Sequence, residues 1–312
     1  MGQLLDSQKA FFVGQFVQAA YTMFSNPQSP GPLRPEPAGI PDGYELGAWI
    51  HMSDFVLDVV EPKFYGIVAH SLNEPDSRVI AIRGTEGAIE WIDDAFAIPV
   101  PFRQVPSAGR VAAGFDKIYT TLKVVKRHLP GGTAKPEVPA TETFSGSFAE
   151  QLEQLALSRE AERGVVASYA EGRPRPKRPT MVTGHSLGAA LATLFVMEND
   201  AKRKFDINSL CTFASPRVGN MEFVHLFNLL PIDSWRIVNT RDVVPKLPPH
   251  VPILLDYDHV DTVYPFDSST FAKNSLLCWH TLETYLHWLD PSCALLPQCV
   301  LPPKPSPAPG NH

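Results

Sequence analysis

Between the apolar stretch Met181–Gly184 and the helix-forming run Ala189-Ala-Leu-Ala-Thr-Leu-Phe-Val-Met-Glu198 lies Thr183-Gly-His-Ser-Leu-Gly188. This is G-x-S-x-G in a strand–turn–helix setting, the arrangement that lifts a serine hydroxyl onto the tip of a strained turn. Gly184 and Gly188 lack Cβ atoms, so strand and helix can approach closely around Ser186. The N–H of Leu187, opening the helix, then points to where negative charge would form on an attacked carbonyl, aided by the helix dipole. The chemistry implied is nucleophilic acyl transfer, with Ser186 as nucleophile and Leu187 as an oxyanion donor.

A serine hydroxyl needs a general base and an orienting carboxylate, which follow such a turn in the order acid, then histidine. Trp235-Arg-Ile-Val-Asn-Thr240 reads as a strand, and Asp242 stands at its C-terminal end in Arg241-Asp-Val-Val-Pro-Lys-Leu-Pro248. Asp242 is therefore the expected acid, although an aspartate ahead of Pro245 also suits a turn. Two histidines compete for the base. His280, on the loop entering the last helix, is placed to reach across the sheet to Ser186; His259 is nearer the acid in sequence and is the alternative. His185 is expected to point away from the nucleophile and brace the turn.

The elements that must position these residues follow from periodicity. A first amphipathic helix, with Phe12, Phe16, Ala19 or Ala20 and Met23 at helical spacing and Asp6 or Ser7 as cap, precedes a proline-rich loop. Strands are expected at 55–60, 64–71 and 78–83, the first two as an antiparallel edge and the third as a central strand. Helices are expected at 113–129 and 148–167, with exposed loops at 130–146 and 171–179. Strand 181–184, helix 187–198, strand 209–214, helix 220–229, strand 235–239 and helix 281–289 complete the chain. This alternation implies a mostly parallel sheet with helices on both faces. Residues 1–301 read as one domain with an excursion at about 130–178, and 302–312 as an extended proline-rich tail.

The chain has 312 residues and a formal net charge of −6. It offers no basic surface for nucleic acid; its one basic run, Arg173-Pro-Arg-Pro-Lys-Arg178, reads as a solvated loop. No stretch reaches the roughly 18 to 20 apolar residues of a transmembrane helix. The N-terminal segment has no basic leader and is interrupted by Gln15 and Gln18, so no signal peptide is read there. The default expectation is cytoplasmic, and a mature secreted form would look the same. Of four cysteines, Cys211 lies in an apolar run, while Cys293 and Cys299 bracket a short loop and are the candidate pair under oxidising conditions. No metal site or cofactor is expected.

These motifs together resemble the class 3 lipases. Val79-Ile-Ala-Ile-Arg-Gly-Thr85 with Trp91-Ile-Asp-Asp94 is similar to that family's strand, oxyanion loop and lid. Gly184–Gly188 resembles its nucleophile turn, Phe213-Ala-Ser-Pro-Arg-Val-Gly-Asn220 the segment after the next strand, Asp242–Pro248 its acid motif, and His280 with Tyr285-Leu286 its terminal histidine motif. The resemblance implies an α/β-hydrolase fold with a short helical lid at about 86–96. It also implies a Ser186–Asp242–His280 triad and Thr85 as second oxyanion donor beside Leu187. Ile89, Trp91 and Ile92 would be lid or cleft residues, with packing an equal alternative for Trp91. The implied activity is ester hydrolysis on acyl glycerols, at a lipid–water interface. The alternatives are a phospholipase, a feruloyl-type esterase, or a lipase-like binding module without catalysis. The family's histidine in V-H-x-G-F is replaced here by Ala112, and Ala189 replaces a frequent glycine.

Overall fold

All five residues of Arg78–Ile82 are buried, and alternate side chains face opposite sides: Val79 and Ala81 join one apolar cluster, Ile80 and Ile82 another. A strand covered on both faces has this pattern, and the rest of the fold is built around it. The computed structural model describes residues 4–23, 36–53, 62–85, 97–127, 144–164, 177–251 and 255–302. In chain order its strands are β1 (Tyr44–Ser53), β2 (Pro62–Ser71), β3 (Arg78–Ile82), β4 (Pro99–Pro101), β5 (Arg110–Ala112), β6 (Lys123–Lys126), β7 (Pro179–His185), β8 (Asp206–Phe213), β9 (Gly219–Asn220), β10 (Asp233–Asn239), β11 (Tyr257–Asp258) and β12 (Thr262–Phe266). Its helices are α1 (Ser7–Thr22), α2 (Ala113–Tyr119), α3 (Phe148–Glu162), α4 (Leu187–Lys202), α5 (Met221–Phe227), α6 (Leu276–His280) and α7 (Leu282–Leu289).

The main sheet has the order β12-β10-β8-β7-β3-β2-β1-β6. From β12 to β3 the neighbours are parallel, and from β3 to β6 antiparallel. A small antiparallel sheet, β11-β9-β5-β4, lies apart from it. Helices α1 and α7 cover one face of the main sheet, and α2 to α5 the other. The fold is thus a mostly parallel sheet flanked by helices.

Helix α1 starts where the Asp6 carboxylate accepts the Lys9 N–H at 2.9 Å, as an N-cap should. Its glycine has a packing reason: a Cβ at Gly14 would lie 2.5 Å from Leu286 Cδ2 and 2.9 Å from Phe213 Cζ, so α1 sits directly on α7 and β8. Helix α3 opens with a capping box between Ser147 and Glu150. Gln151, buried on α3, accepts from the Val124 N–H at 2.9 Å and donates to the Leu122 carbonyl at 3.1 Å. The helical part of the expected excursion is thereby fastened to the chain just before and within β6.

Several sequence expectations are corrected. The span 113–129 is not one helix: α2 ends at Tyr119, and Lys123–Lys126 forms β6 against the free edge of β1. Thr120 and Thr121 close the helix, and the two valines then pair as a strand, where β-branched residues pack well. Strand β2 pairs antiparallel with β3 on one side and, on the other, with Tyr44–Ser53, for which no strand is expected from sequence; β1 and β2 are not the sheet edge because β6 lies outside them. Strand β12 and helix α6 were likewise not anticipated. The expected strand at 55–60, the lid at 86–96 and most of the loops at 130–146 and 171–179 lie outside the described residues. Cys293 does not pair with Cys299; the disulfide is Cys278–Cys299, and Cys293 is free. The Lys273 N–H donates to the Cys299 carbonyl, and Ala272 bridges to Val300, which brings Cys299 beside α6. Cys211 is a buried thiol whose pKa desolvation pushes well up, so it stays protonated.

Candidate active site

Register places the site. Strand β3 pairs with β7 so that Ile82 lies beside Gly184, and Gly84, two residues on, packs against Ser186. Ser186 follows β7 with φ 57° and ψ −126°, a strained conformation for a residue with a side chain, and it caps α4. Both neighbouring glycines are required by contact. A Cβ at Gly184 would lie 2.4 Å from the Gly188 carbonyl oxygen, and one at Gly188 would lie 2.1 Å from the Ile82 oxygen. The Ser186 N–H is held by the Phe213 carbonyl of β8 at 2.9 Å.

Asp242 stands in the turn after β10 and His280 closes α6, yet their side chains form one line of contacts that ends on Ser186. His280 Nε2 is 2.9 Å from Ser186 Oγ, and its Nδ1 is 2.7 Å from Asp242 Oδ2. Asp242 Oδ2 also accepts from the Tyr285 hydroxyl at 2.7 Å, and its Oδ1 accepts from the Val244 N–H at 3.0 Å. The second of these is the turn bond expected of an aspartate ahead of Pro245, so the turn reading and the acid reading hold for the same side chain. Burial and the adjacent carboxylate hold the Tyr285 phenol well above its usual range, so it remains a donor. A buried carboxylate with three such donors is fixed in place, and the imidazole it orients has Nε2 free to take the serine proton.

Two neighbours hold the short helix that ends on His280. The Asn239 side chain, ending β10, donates to the Trp279 carbonyl at 2.9 Å and to Ser268 Oγ at 2.8 Å. The Thr284 hydroxyl donates to the Cys278 carbonyl at 2.6 Å. Tyr285 and Asn239 were not anticipated as positioning groups. For Tyr285 the only signal was its fixed offset from His280 in the terminal motif; for Asn239, nothing beyond its place at a strand end.

His259 sits elsewhere. Its ring Nε2 lies 2.7 Å from the Pro245 carbonyl, so that nitrogen carries the proton, and burial with nearby Arg236 pushes its pKa down to about 3. It ties the loop before β12 to the acid loop. His185 does not contact Ser186 through its ring: Nδ1 is 2.7 Å from the Tyr21 hydroxyl and Nε2 is 2.8 Å from the His280 carbonyl oxygen. His250 and His287 bond to backbone carbonyls away from the site.

Leu187 opens α4, in the turn whose N–H groups have no acceptor within the helix. Thr85 follows Gly84, where an added Cβ would lie 2.8 Å from Ser186 Cβ. The Thr85 hydroxyl is buried and has no hydrogen-bond partner among the described residues. A buried hydroxyl without a partner costs about 1–3 kcal/mol, so an unpartnered hydroxyl in a native structure calls for an explanation. Ile89, Trp91 and Ile92 lie outside the described residues. Ala112, where a family histidine was expected, is buried against the core. No cluster of three or more metal-ligating side chains occurs among the described residues.

A mostly parallel sheet with a serine at the strained turn after a central strand, and acid and base at later loops on the same end, defines the α/β-hydrolase fold. The sequence model of the lipase (class 3) family matches residues 79–251, and the chain belongs to that family. Among curated relatives it is 31% identical over 231 residues to phospholipase A1-II 6 of Oryza sativa subsp. japonica, covering 67% of this chain and 49% of the relative. It is also 31% identical over 241 residues to the chloroplastic phospholipase A1-Igamma1 of Arabidopsis thaliana, covering 68% and 42%. The chain thus spans about half the length of the curated relatives it matches. Its fold is similar to that of the Rhizomucor miehei lipase in its propeptide complex, with a TM-score of 0.54, 19% identity, and 86% and 71% of the two chains covered. It is likewise similar to a triacylglycerol lipase whose catalytic centre is a serine protease triad, at TM-score 0.52 and 19% identity, covering 89% and 92%.

Proposed function

We propose that this protein is a serine carboxylic ester hydrolase acting on acyl-glycerol esters. The observation that carries the reading is the continuous contact from Asp242 through His280 to Ser186, at 2.7 and 2.9 Å, ending on a hydroxyl at a strained turn. His280 takes the Ser186 proton as Oγ bonds to the ester carbonyl carbon. The negative charge that develops on the carbonyl oxygen is held by the Leu187 N–H and by Thr85. The carbon–oxygen bond to the alcohol then breaks, and the alcohol leaves with the proton from His280. Water, deprotonated by His280, attacks the acyl-enzyme and releases the acid and free Ser186.

Neutral acyl glycerols are our first substrate reading, following the lipase (class 3) family to which the chain belongs. Phospholipid esters are the second reading, supported by the names of the rice and Arabidopsis relatives. Ser186 is fully buried, so the substrate reaches it only after what covers it moves, and a lipid–water interface is the setting we propose for that step.

The test is hydrolysis by the purified chain of p-nitrophenyl esters of increasing length, triacylglycerol emulsions and phospholipid vesicles. Ser186→Ala should lower turnover by roughly four to six orders of magnitude and abolish labelling by a fluorophosphonate. Retained hydrolysis or labelling in that variant overturns the mechanism. Faster release of fatty acid from phospholipid than from triacylglycerol overturns the substrate preference alone.

A further inference from the structure

The hydrogen bonds around His185 run in only one direction. The His280 carbonyl can only accept, so the 2.8 Å contact requires the proton on His185 Nε2. Burial and the neighbouring His280 hold the His185 pKa well below its usual value, so the ring is neutral and Nδ1 carries a lone pair. That lone pair is met at 2.7 Å by the Tyr21 hydroxyl, which must therefore donate. With its own O–H directed at His185, the Tyr21 oxygen accepts the Gly84 N–H at 2.9 Å. The chain of bonds is Gly84 N–H to Tyr21 O–H to His185 Nδ1, and His185 Nε2–H to the His280 carbonyl.

Its two ends lie at the residue before Thr85 and on the backbone of His280. Gly84 immediately precedes Thr85 and lies against Ser186, where an added Cβ would be 2.8 Å from Ser186 Cβ and 2.8 Å from the Tyr21 oxygen. The Gly84 carbonyl belongs to the same rigid peptide plane as the Thr85 N–H. That carbonyl accepts from Arg83 Nη1 at 2.7 Å, while the Arg83 guanidinium lies 4.3 Å from the Tyr65 ring and 5.7 Å from the Tyr21 ring. Gly84 is thus held on both sides, by Tyr21 at its N–H and by Arg83 at its C=O, and the direction of the Thr85 amide follows. The other end is the backbone of the base itself, whose ring lies 4.8 Å from that of His185.

We propose that Tyr21, acting through His185, is a positioning residue that couples the oxyanion loop to the general base, so that both stay aligned on Ser186. Tyr21 comes from α1, which precedes the segment matched by the family, residues 79–251. The inference rests on the ester-hydrolase reading. On this view α1 completes the site: it contributes no reacting atom but fixes one donor and the base relative to each other.

The test is Tyr21→Phe, with turnover of a soluble p-nitrophenyl ester measured per site titrated by a fluorophosphonate. Positioning predicts a kcat per titrated site about ten- to a hundredfold lower, with KM within about threefold of wild type. A merely structural tyrosine would lower the titratable fraction and leave turnover per site unchanged, which overturns the proposal. His185 supplies a second arm should Tyr21→Phe fail to fold. His185→Gln can keep an N–H toward the His280 carbonyl and His185→Leu cannot, so the leucine variant should be slower per site by about tenfold. Equal turnover in the two overturns the coupling. If wild type shows Ser186-dependent hydrolysis and neither arm responds, only the coupling is lost. If wild type shows none, the hydrolase reading falls and this inference with it.

Discussion

Asp242 accepts from Tyr285, from Val244 and from the ring of His280, and each bond removes a different freedom from the proposed base. Losing one of them is a graded defect. Tyr285→Phe should cost about 1.5–3 kcal/mol of stability, as for a hydrogen bond to a charged group, and slow turnover severalfold; calorimetry and steady-state kinetics check both. The two histidines separate more sharply. His280→Ala should lower kcat by roughly four orders of magnitude or more. His259→Ala loses the tie to the Pro245 carbonyl and the packing of a partly buried ring, and should reduce stability with at most a severalfold loss of rate. The reverse order in a kinetic comparison of the two variants would move the base to His259.

At the scale of elements, the five-residue helix α6 ends on His280 yet is too short to be stable alone. It is held by the Ser275 cap, by Asn239 and Thr284 on its carbonyls, and by the Cys278–Cys299 disulfide. The disulfide closes a sequence separation of 21 residues, worth about 3 kcal/mol in the chain-entropy account. Cys278→Ser should therefore lower the unfolding free energy by about 2–4 kcal/mol and reduce turnover by loosening the base. Thiol titration of the denatured, unreduced protein should find two free cysteines, Cys211 and Cys293; four would contradict the pairing. Elements with strong local signals were legible in the sequence: α1, the β7–α4 turn, and α7 with its apolar stripe. The valines of β6 were not, because 113–126 satisfies a helical pattern until the free edge of β1 offers a ladder. Strand β12 was hidden for a similar reason. Thr262-Val-Tyr-Pro-Phe266 contains a proline, which sheets tolerate at an edge, and β12 is the edge strand.

For the whole molecule, pH acts through buried groups that cannot easily change charge. His70 and His185 are pushed well below the usual histidine range by burial, and His259 down to about 3. An unfolded chain would protonate all three from about pH 6.5 downward, while the folded chain resists. Their contribution to stability is therefore present above pH 6.5 and lost as pH falls toward 3. Asp261 works in the opposite sense. Burial raises it to about 6, and one carboxylate oxygen is buried without a hydrogen-bond partner, at a residue with φ 69°. The folded chain holds its proton where the unfolded chain has lost it, so this group favours folding increasingly as pH drops from about 6 to 4. Melting temperature should fall between pH 7 and 4, because three groups outweigh one. Asp261→Asn, suited to a positive φ, should raise it at pH 7 and change little at pH 4. A melting temperature independent of pH across that range would contradict the burial argument.

The sequence by itself determined the strand–turn–helix around Ser186, the order of acid and histidine after it, and the alternation that makes a parallel sheet. All of these are local in the chain: glycines a backbone contact demands, apolar periods, and residues at element ends. Only the tertiary structure decided which cysteine meets Cys299, which segment closes the sheet beyond β1, and how Tyr21, Gly84 and His185 join hands behind the base. Those contacts link residues separated by up to 164 positions, and nothing in local spacing encodes which distant partner a buried donor will find.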